Sequence, residues 1–155
     1  MPFTISRDSN MPVNKQFLMF SIVVFFMVSA QAASESFDDY MVYYQAVNST
    51  FLDADIAEQY GIIRSDRRAF LNISIVKQDQ DGSEPVTAVI SGGKRNLLGQ
   101  TSNIEFREIQ EGNAIYYIGE FEFSNAERVR FNITVRPEMA GPSHKISWET
   151  QMYNN

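Results

Sequence analysis

Between Gln100 and Arg136 the chain reads QTSNIEFREIQEGNAIYYIGEFEFSNAERVRFNITVR, with apolar residues on alternate positions. Side chains alternate faces along a strand and directly paired residues share a face, so this spacing demands half-buried strands and argues against helix. Ile104 and Phe106 have even numbers, whereas Ile115, Tyr117, Phe121 and Phe123 have odd ones. A two-residue loop at Gly112-Asn113 pairs even with odd positions, setting Phe106 opposite Gly119 and Ile104 opposite Phe121. Further on, Val129, Phe131, Ile133 and Val135 alternate with Arg128, Arg130, Asn132 and Thr134. A short loop around Asn125 brings this second apolar face onto Phe121 and Phe123. The stretch is therefore predicted as three consecutive antiparallel strands. Ile104, Phe106, Phe121, Phe131 and Ile133 line its inner face. On its outer face Glu120 and Glu122 are expected to meet Arg128 and Arg130, pairs worth only about 0.2–1 kcal/mol each.

Similar signals flank this stretch. Tyr40 to Val47 is β-rich and apolar on both faces, so it is expected to be covered on both sides or to meet a partner there. Asp53 is placed to cap a short crossover helix over residues 54–60, with Gly61 at its C-terminal end. Leu71, Ile73 and Ile75 mark another strand. A turn at Asp81-Gly82 sets Ile75 opposite Ala88 and Ile73 opposite Ile90. Gly92 to Asn96 reads as a break, and the last strand runs from Lys145 to Tyr153 with Ile146, Trp148 and Met152 on one face. The pattern predicts an all-β domain: an antiparallel, immunoglobulin-like β-sandwich of about seven strands with one short crossover helix. Alternation leaves an open barrel as the alternative, because it does not say which strand neighbours which.

Ahead of this domain, Arg7 and Lys15 precede an uncharged, largely apolar run from Phe17 to Val28, followed by Ala30-Gln31-Ala32. A basic start, a short greasy run and a small-x-small site form a secretory signal peptide, residues 1–32, with cleavage between Ala32 and Ala33. The run falls short of the roughly 20 residues a spanning helix needs. The mature chain is then a single domain of residues 33–155. The whole sequence holds 13 basic and 19 acidic residues; without Arg7, Lys15 and Asp8 it keeps 11 and 18, a net charge near −7. Such a balance, without a basic stripe, disfavours nucleic acid and anionic membrane surfaces as partners. With no cysteine, the domain has neither disulfides nor the residue a bacterial lipid anchor requires. A periplasmic protein held together by its apolar core is expected.

Reactive groups are few. His144 is the only histidine and reads as a solvated loop residue beside Pro142, and no G-x-S-x-G elbow accompanies it. Asp79 to Glu84 has alternating carboxylates but lacks the ligand spacing of a calcium loop, so it is read as a hairpin turn. Gly92-Gly93-Lys94-Arg95-Asn96 lacks the spacing of a phosphate-binding loop and is expected to be an inter-strand loop. It still offers Lys94, Arg95 and Asn96 as candidate binding residues. Arg64, Arg67 and Arg68 are the other basic cluster, read as a solvated loop. The sequon asparagines Asn72 and Asn132 are expected to face outward from strands, and Trp148 to pack in the core. Tyr43 and Tyr116 fall on the less apolar parity of their strands, which makes them candidates for an exposed binding surface. No catalytic residues, metal site or cofactor are predicted.

Several strings carry a resemblance: Asn48-Ser49-Thr50-Phe51-Leu52, Tyr60-Gly61-Ile62 with Arg64-Ser65, Leu71-Asn72-Ile73-Ser74, Arg95 to Gln100, and Phe106-Arg107-Glu108 with Gly112 and Ala114 to Ile118. Across nearly the whole mature chain the sequence resembles the small exported gammaproteobacterial proteins of domain of unknown function family 4426. That resemblance implies bacterial origin, export and a β-sandwich-like domain, and carries over no site residues. The leading expectation is a non-catalytic periplasmic module that binds a protein or small ligand. The alternatives are a carboxylate-dependent hydrolase and a homo-oligomer joined through the Tyr40–Val47 strand.

Overall fold

The computed structural model describes residues 32–139 and 141–154. Apart from Ala32, the predicted signal segment lies outside the described residues. Among the described residues ten strands form two antiparallel sheets. One sheet holds β1 (Ala33–Phe37), β2 (Tyr40–Asn48), β3 (Arg68–Asp79), β8 (Ala114–Glu122) and β7 (Phe106–Glu111) in that order, with β4 (Gly82–Pro85) paired to the far end of β3. The other runs β10 (His144–Met152), β9 (Glu127–Pro137), β5 (Ala88–Asn96) and β6 (Thr101–Asn103). The two-layer antiparallel sandwich agrees with the expected fold. The excess over seven strands comes from the short β1, β4 and β6.

The core is what the alternation selects. Val42, Leu71, Ile73, Ile75 and Phe121 from one sheet face Val129, Phe131, Ile133, Val135 and Ile146 from the other, all buried. Aromatic rings tie the layers together. Phe121 meets Phe131 edge-on at 5.0 Å, and Trp148 lies between Phe131 at 4.9 Å and Tyr44 at 4.4 Å. Trp148 is thus the packing residue that its parity predicts.

The pairing of strands corrects several expectations. The Gly112-Asn113 hairpin holds, with Phe106 opposite Gly119 and Glu111 opposite Ala114. Ile104 does not pair with Phe121; its N–H bonds to the Gly92 carbonyl at 2.9 Å while the chain passes from β6 to β7. β8 and β9 do not pair either, because the chain crosses between sheets around Asn125. The Phe121 face still packs on the Phe131 face, but across the sandwich. Consequently the expected charge ladder is absent: Arg68 lies 3.3 Å from Glu122 and 3.9 Å from Glu120, Arg107 reaches Glu120 at 3.6 Å, and Arg130 Nε bonds Glu149 at 2.8 Å. The next turn sits one residue earlier than predicted, with Asp79 paired to Gly82, and Ala88 and Ile90 pair with Pro137 and Val135 in the other sheet.

Helix α1 (Ala54–Gln59) joins β2 to β3, which are hydrogen-bonded neighbours, so it is not a crossover. Its Ala57 joins Leu52, Ile62, Phe70 and Ile118 in a second apolar cluster that covers one end of the first sheet's outer face. This is how the doubly apolar β2 is satisfied: Val47 packs under the helix and Val42 in the main core. Gly61 ends the element at φ 60, the left-handed cap that glycine favours. Among the described residues no helix is long and apolar enough to cross a membrane.

Candidate functional site

The loops at one end of the sandwich surround a groove of about 750 Å³. Both sheets contribute to it because β2, β8, β5 and β10 all finish at this end, where β3, β6 and β9 begin. Ser65, Arg67 and Arg68 enter from the start of β3, Lys94 and Asn96 from the end of β5, and Glu122, Ser124 and Glu127 from the β8–β9 connection. Every lining residue but Phe123 is polar or charged.

Lys94 Nζ donates to the Glu122 carbonyl, lies 3.8 Å from Glu127 Oε2, and sits 5.9 Å from the centre of the Phe121 ring. Glu127 is fixed in turn, accepting from the Ser124 N–H at 2.8 Å. Asn96 donates to Gln100 Oε1 at 2.7 Å and accepts from the Gln100 N–H at 3.0 Å, which closes the β5–β6 turn. Among the described residues the Arg67 side chain has no ion-pair partner, and the Asn154 Oδ1 atom is buried without a donor. The groove therefore combines a free guanidinium with amides and hydroxyls whose hydrogen-bonding capacity is partly unused, a surface suited to a polar ligand.

Gly92 to Asn96 is not a loop; it is the second half of β5. The glycines allow close approach of neighbouring strands: a Cβ at Gly92 would stand 2.2 Å from the Asn132 carbonyl oxygen, and one at Gly93 2.2 Å from that of Ser102. Within this segment Lys94 and Asn96 line the groove, whereas the Arg95 guanidinium lies over the turn at Gly99. Arg68 is likewise a half-buried strand residue and not part of a solvated loop. The two basic clusters of the sequence thus meet at one groove. Tyr43 and Tyr116 are elsewhere, both on the outer face of the first sheet, with Tyr43 exposed and Tyr116 half-buried. Gln100, Thr101, Ser102, Ser124, Asn125 and Asn154 were not singled out from sequence; polar loop residues carry no pattern that would do so.

Elsewhere the titratable groups serve the fold. His144 opens β10, with Nε2 3.0 Å from Glu35 Oε1 and its ring stacked on Phe37 at 4.1 Å, so it is not a solvated loop residue. Asn132 is exposed as expected, but Asn72 is half-buried and its Oδ1 lacks a partner. The buried Tyr117 hydroxyl donates to Glu108 at 2.7 Å and accepts from the Ala88 N–H at 2.7 Å. Burial, and then the Glu108 bond, push its pKa up to about 12.

The family model for Domain of unknown function (DUF4426) matches residues 34–155. A crystal structure of a DUF4426 family protein from Pseudomonas aeruginosa is similar, with 27% identity and a TM-score of 0.70 over 80% of this chain and 96% of that one. FetP of uropathogenic Escherichia coli, expressed recombinantly in the periplasm, is 10% identical with a TM-score of 0.61, covering 80% of this chain and 95% of FetP. A copper-bound variant of FetP gives the same identity and TM-score over 80% and 96%. At 10% identity these FetP structures share the fold alone. No curated protein matches the chain.

Proposed function

The chain belongs to the DUF4426 family, and from that premise we propose that it is an exported, non-catalytic binding module of the periplasm that works through the polar groove. The observation that carries this reading is the convergence of groups from both sheets on one cleft, with the Arg67 guanidinium free of any ion pair among the described residues. Export is supported by the basic start, the apolar run and the Ala30-Gln31-Ala32 site, just ahead of β1 at Ala33. Intact-mass measurement of the exported protein should find Ala33 at its N-terminus; a mass retaining earlier residues refutes that cleavage.

A carboxylate-dependent hydrolase is the second reading, because Glu122 and Glu127 both line the groove. Each is already engaged, Glu122 with Arg68 and Glu127 with Lys94 and the Ser124 N–H, which favours binding over proton transfer as their role. Copper is not carried over from FetP. The one histidine faces Glu35, and no three of His, Cys, Asp and Glu gather among the described residues.

Groove binding is tested by a thermal-shift screen of anionic and hydroxyl-rich small molecules and short acidic peptides. Ser102→Trp, which fills the groove from an exposed position, should abolish a hit's shift without lowering the melting temperature of the free protein. Arg67→Gln should weaken it roughly tenfold or more, as expected for loss of a charge-assisted hydrogen bond. A hit that binds both variants like the parent assigns the ligand to another surface.

A further inference from the structure

The same end of the sandwich carries a second feature outside the groove. Phe51, Ile63, Leu97, Leu98 and Tyr153 are five of the eight large apolar side chains found exposed among the described residues; the first four lie in connections at this end and Tyr153 follows β10 there. Leu97 and Leu98 are extreme, 76% and 85% exposed at the tip of the β5–β6 turn. Neither contributes to a core cluster, so folding does not explain them.

Exposed cations share this end. Arg64, Arg67, Arg95 and Arg128 are all exposed at this end without an ion pair among the described residues, and the Arg95 guanidinium lies against the Leu97–Gly99 turn. Of the nearby acids, Glu122 and Glu127 are matched to Arg68 and Lys94, which leaves Asp66 beside Arg67 in sequence, Asp53 ahead of α1, and Asp55 and Glu58 within it. The opposite end holds Asp38, Asp39, Asp79, Asp81 and Glu84, against which stand Arg136 and Lys145 as exposed cations without an ion pair among the described residues. Charge is thus separated along the molecule, although the net charge is negative.

We propose that this end docks on an anionic lipid bilayer, with Leu97 and Leu98 entering the headgroup boundary and Arg64, Arg67, Arg95 and Arg128 meeting lipid phosphates. Apolar tips flanked by arginines match such a surface in both respects, since burial of the leucines and attraction of the guanidinium groups act together. The acidic end faces away from the like-charged membrane. Net charge alone argued against a membrane partner, and the spatial separation of charge removes that objection. Arg67 is shared with the groove, but Leu97, Leu98, Arg64, Arg95 and Arg128 lie outside its lining, so variants of these test docking apart from what the groove binds.

The test is flotation with vesicles of phosphatidylcholine containing phosphatidylglycerol, against pure phosphatidylcholine. It uses the chain from Ala33, whose two core clusters lie wholly within that segment. Binding should require phosphatidylglycerol and fall as salt is raised. Leu97→Ser combined with Leu98→Ser should weaken it about tenfold or more, as should Arg95→Gln combined with Arg128→Gln. All four residues are exposed, so a preserved melting temperature verifies folding. Absence of binding to the anionic vesicles overturns the proposal, as does equal binding by the leucine variant. If anionic vesicles do not bind but the parent self-associates and the leucine variant does not, the surface belongs to a second copy of the chain.

Discussion

A methyl group added at Gly92 would fall 2.2 Å from the Asn132 carbonyl oxygen and 2.9 Å from the Ile133 Cα, in a residue whose φ is 145. These neighbours are backbone and cannot turn aside. At Gly119 the nearest atoms are the Ile104 Cγ2 at 2.4 Å and the Phe106 ring at 2.7 Å, both of which can move. Gly92→Ala is therefore expected to destabilise by about 3 kcal/mol or more, and Gly119→Ala by roughly half of that, in urea unfolding. A smaller loss at Gly92 than at Gly119 would show that the β5–β9 contact yields more easily than the packed side chains. Tyr117 gives a pH prediction. Its pKa rises from 10.0 to about 12 on folding, so the stability it contributes is complete below about pH 10 and is lost as pH climbs from there towards 12. Urea midpoints through this window should fall less steeply in Tyr117→Phe than in the parent. An unchanged slope would mean that burial and the Glu108 contact do not hold the phenol neutral.

Helix α1 shows how little of an element's stability need come from its own caps. Asp53 occupies the N-cap yet makes no side-chain hydrogen bond to the helix, and the element is only six residues long. Packing holds it, through Ala57 on Phe70, Ile118 and Leu52. Asp53→Ala should accordingly change stability by less than about 0.5 kcal/mol, below the roughly 1 kcal/mol of a working cap. Phe70→Ala should cost about 3–5 kcal/mol, because it empties both the helix's seat and a fully buried strand position. If the aspartate cost more than the phenylalanine, the helix would be cap-driven. The helix's position was legible from Asp53 and Gly61, but its role as cover was not, since a six-residue segment shows no apolar stripe that points to a particular sheet face. The glycine pair misled for a related reason. Glycine marks both loops and places where backbones approach closely, and only the presence of Asn132 and Ser102 on either side distinguishes the two.

For the whole molecule, the crossing of the chain between sheets after β4, β6 and β8 makes each layer depend on the other. The chain from Ala33 is expected to unfold in one cooperative transition, with Trp148 fluorescence and far-ultraviolet dichroism coincident. Separate midpoints would mean that the helix-covered cluster melts on its own. By itself the sequence determined which residues face inward, because side-chain alternation is a local property of the strand: Phe121, Phe131, Ile133, Ile146 and Met152 are buried as their parity demands. Partnership it did not determine, because parity is the same whether two apolar faces sit side by side in one sheet or meet across a sandwich. Only the tertiary structure put β8 and β9 in different layers, brought Arg67 and Lys94 to one groove, and gathered four unpaired arginines at one end of an acidic chain. Those are distances between residues far apart in sequence, and long-range pairing alone sets them.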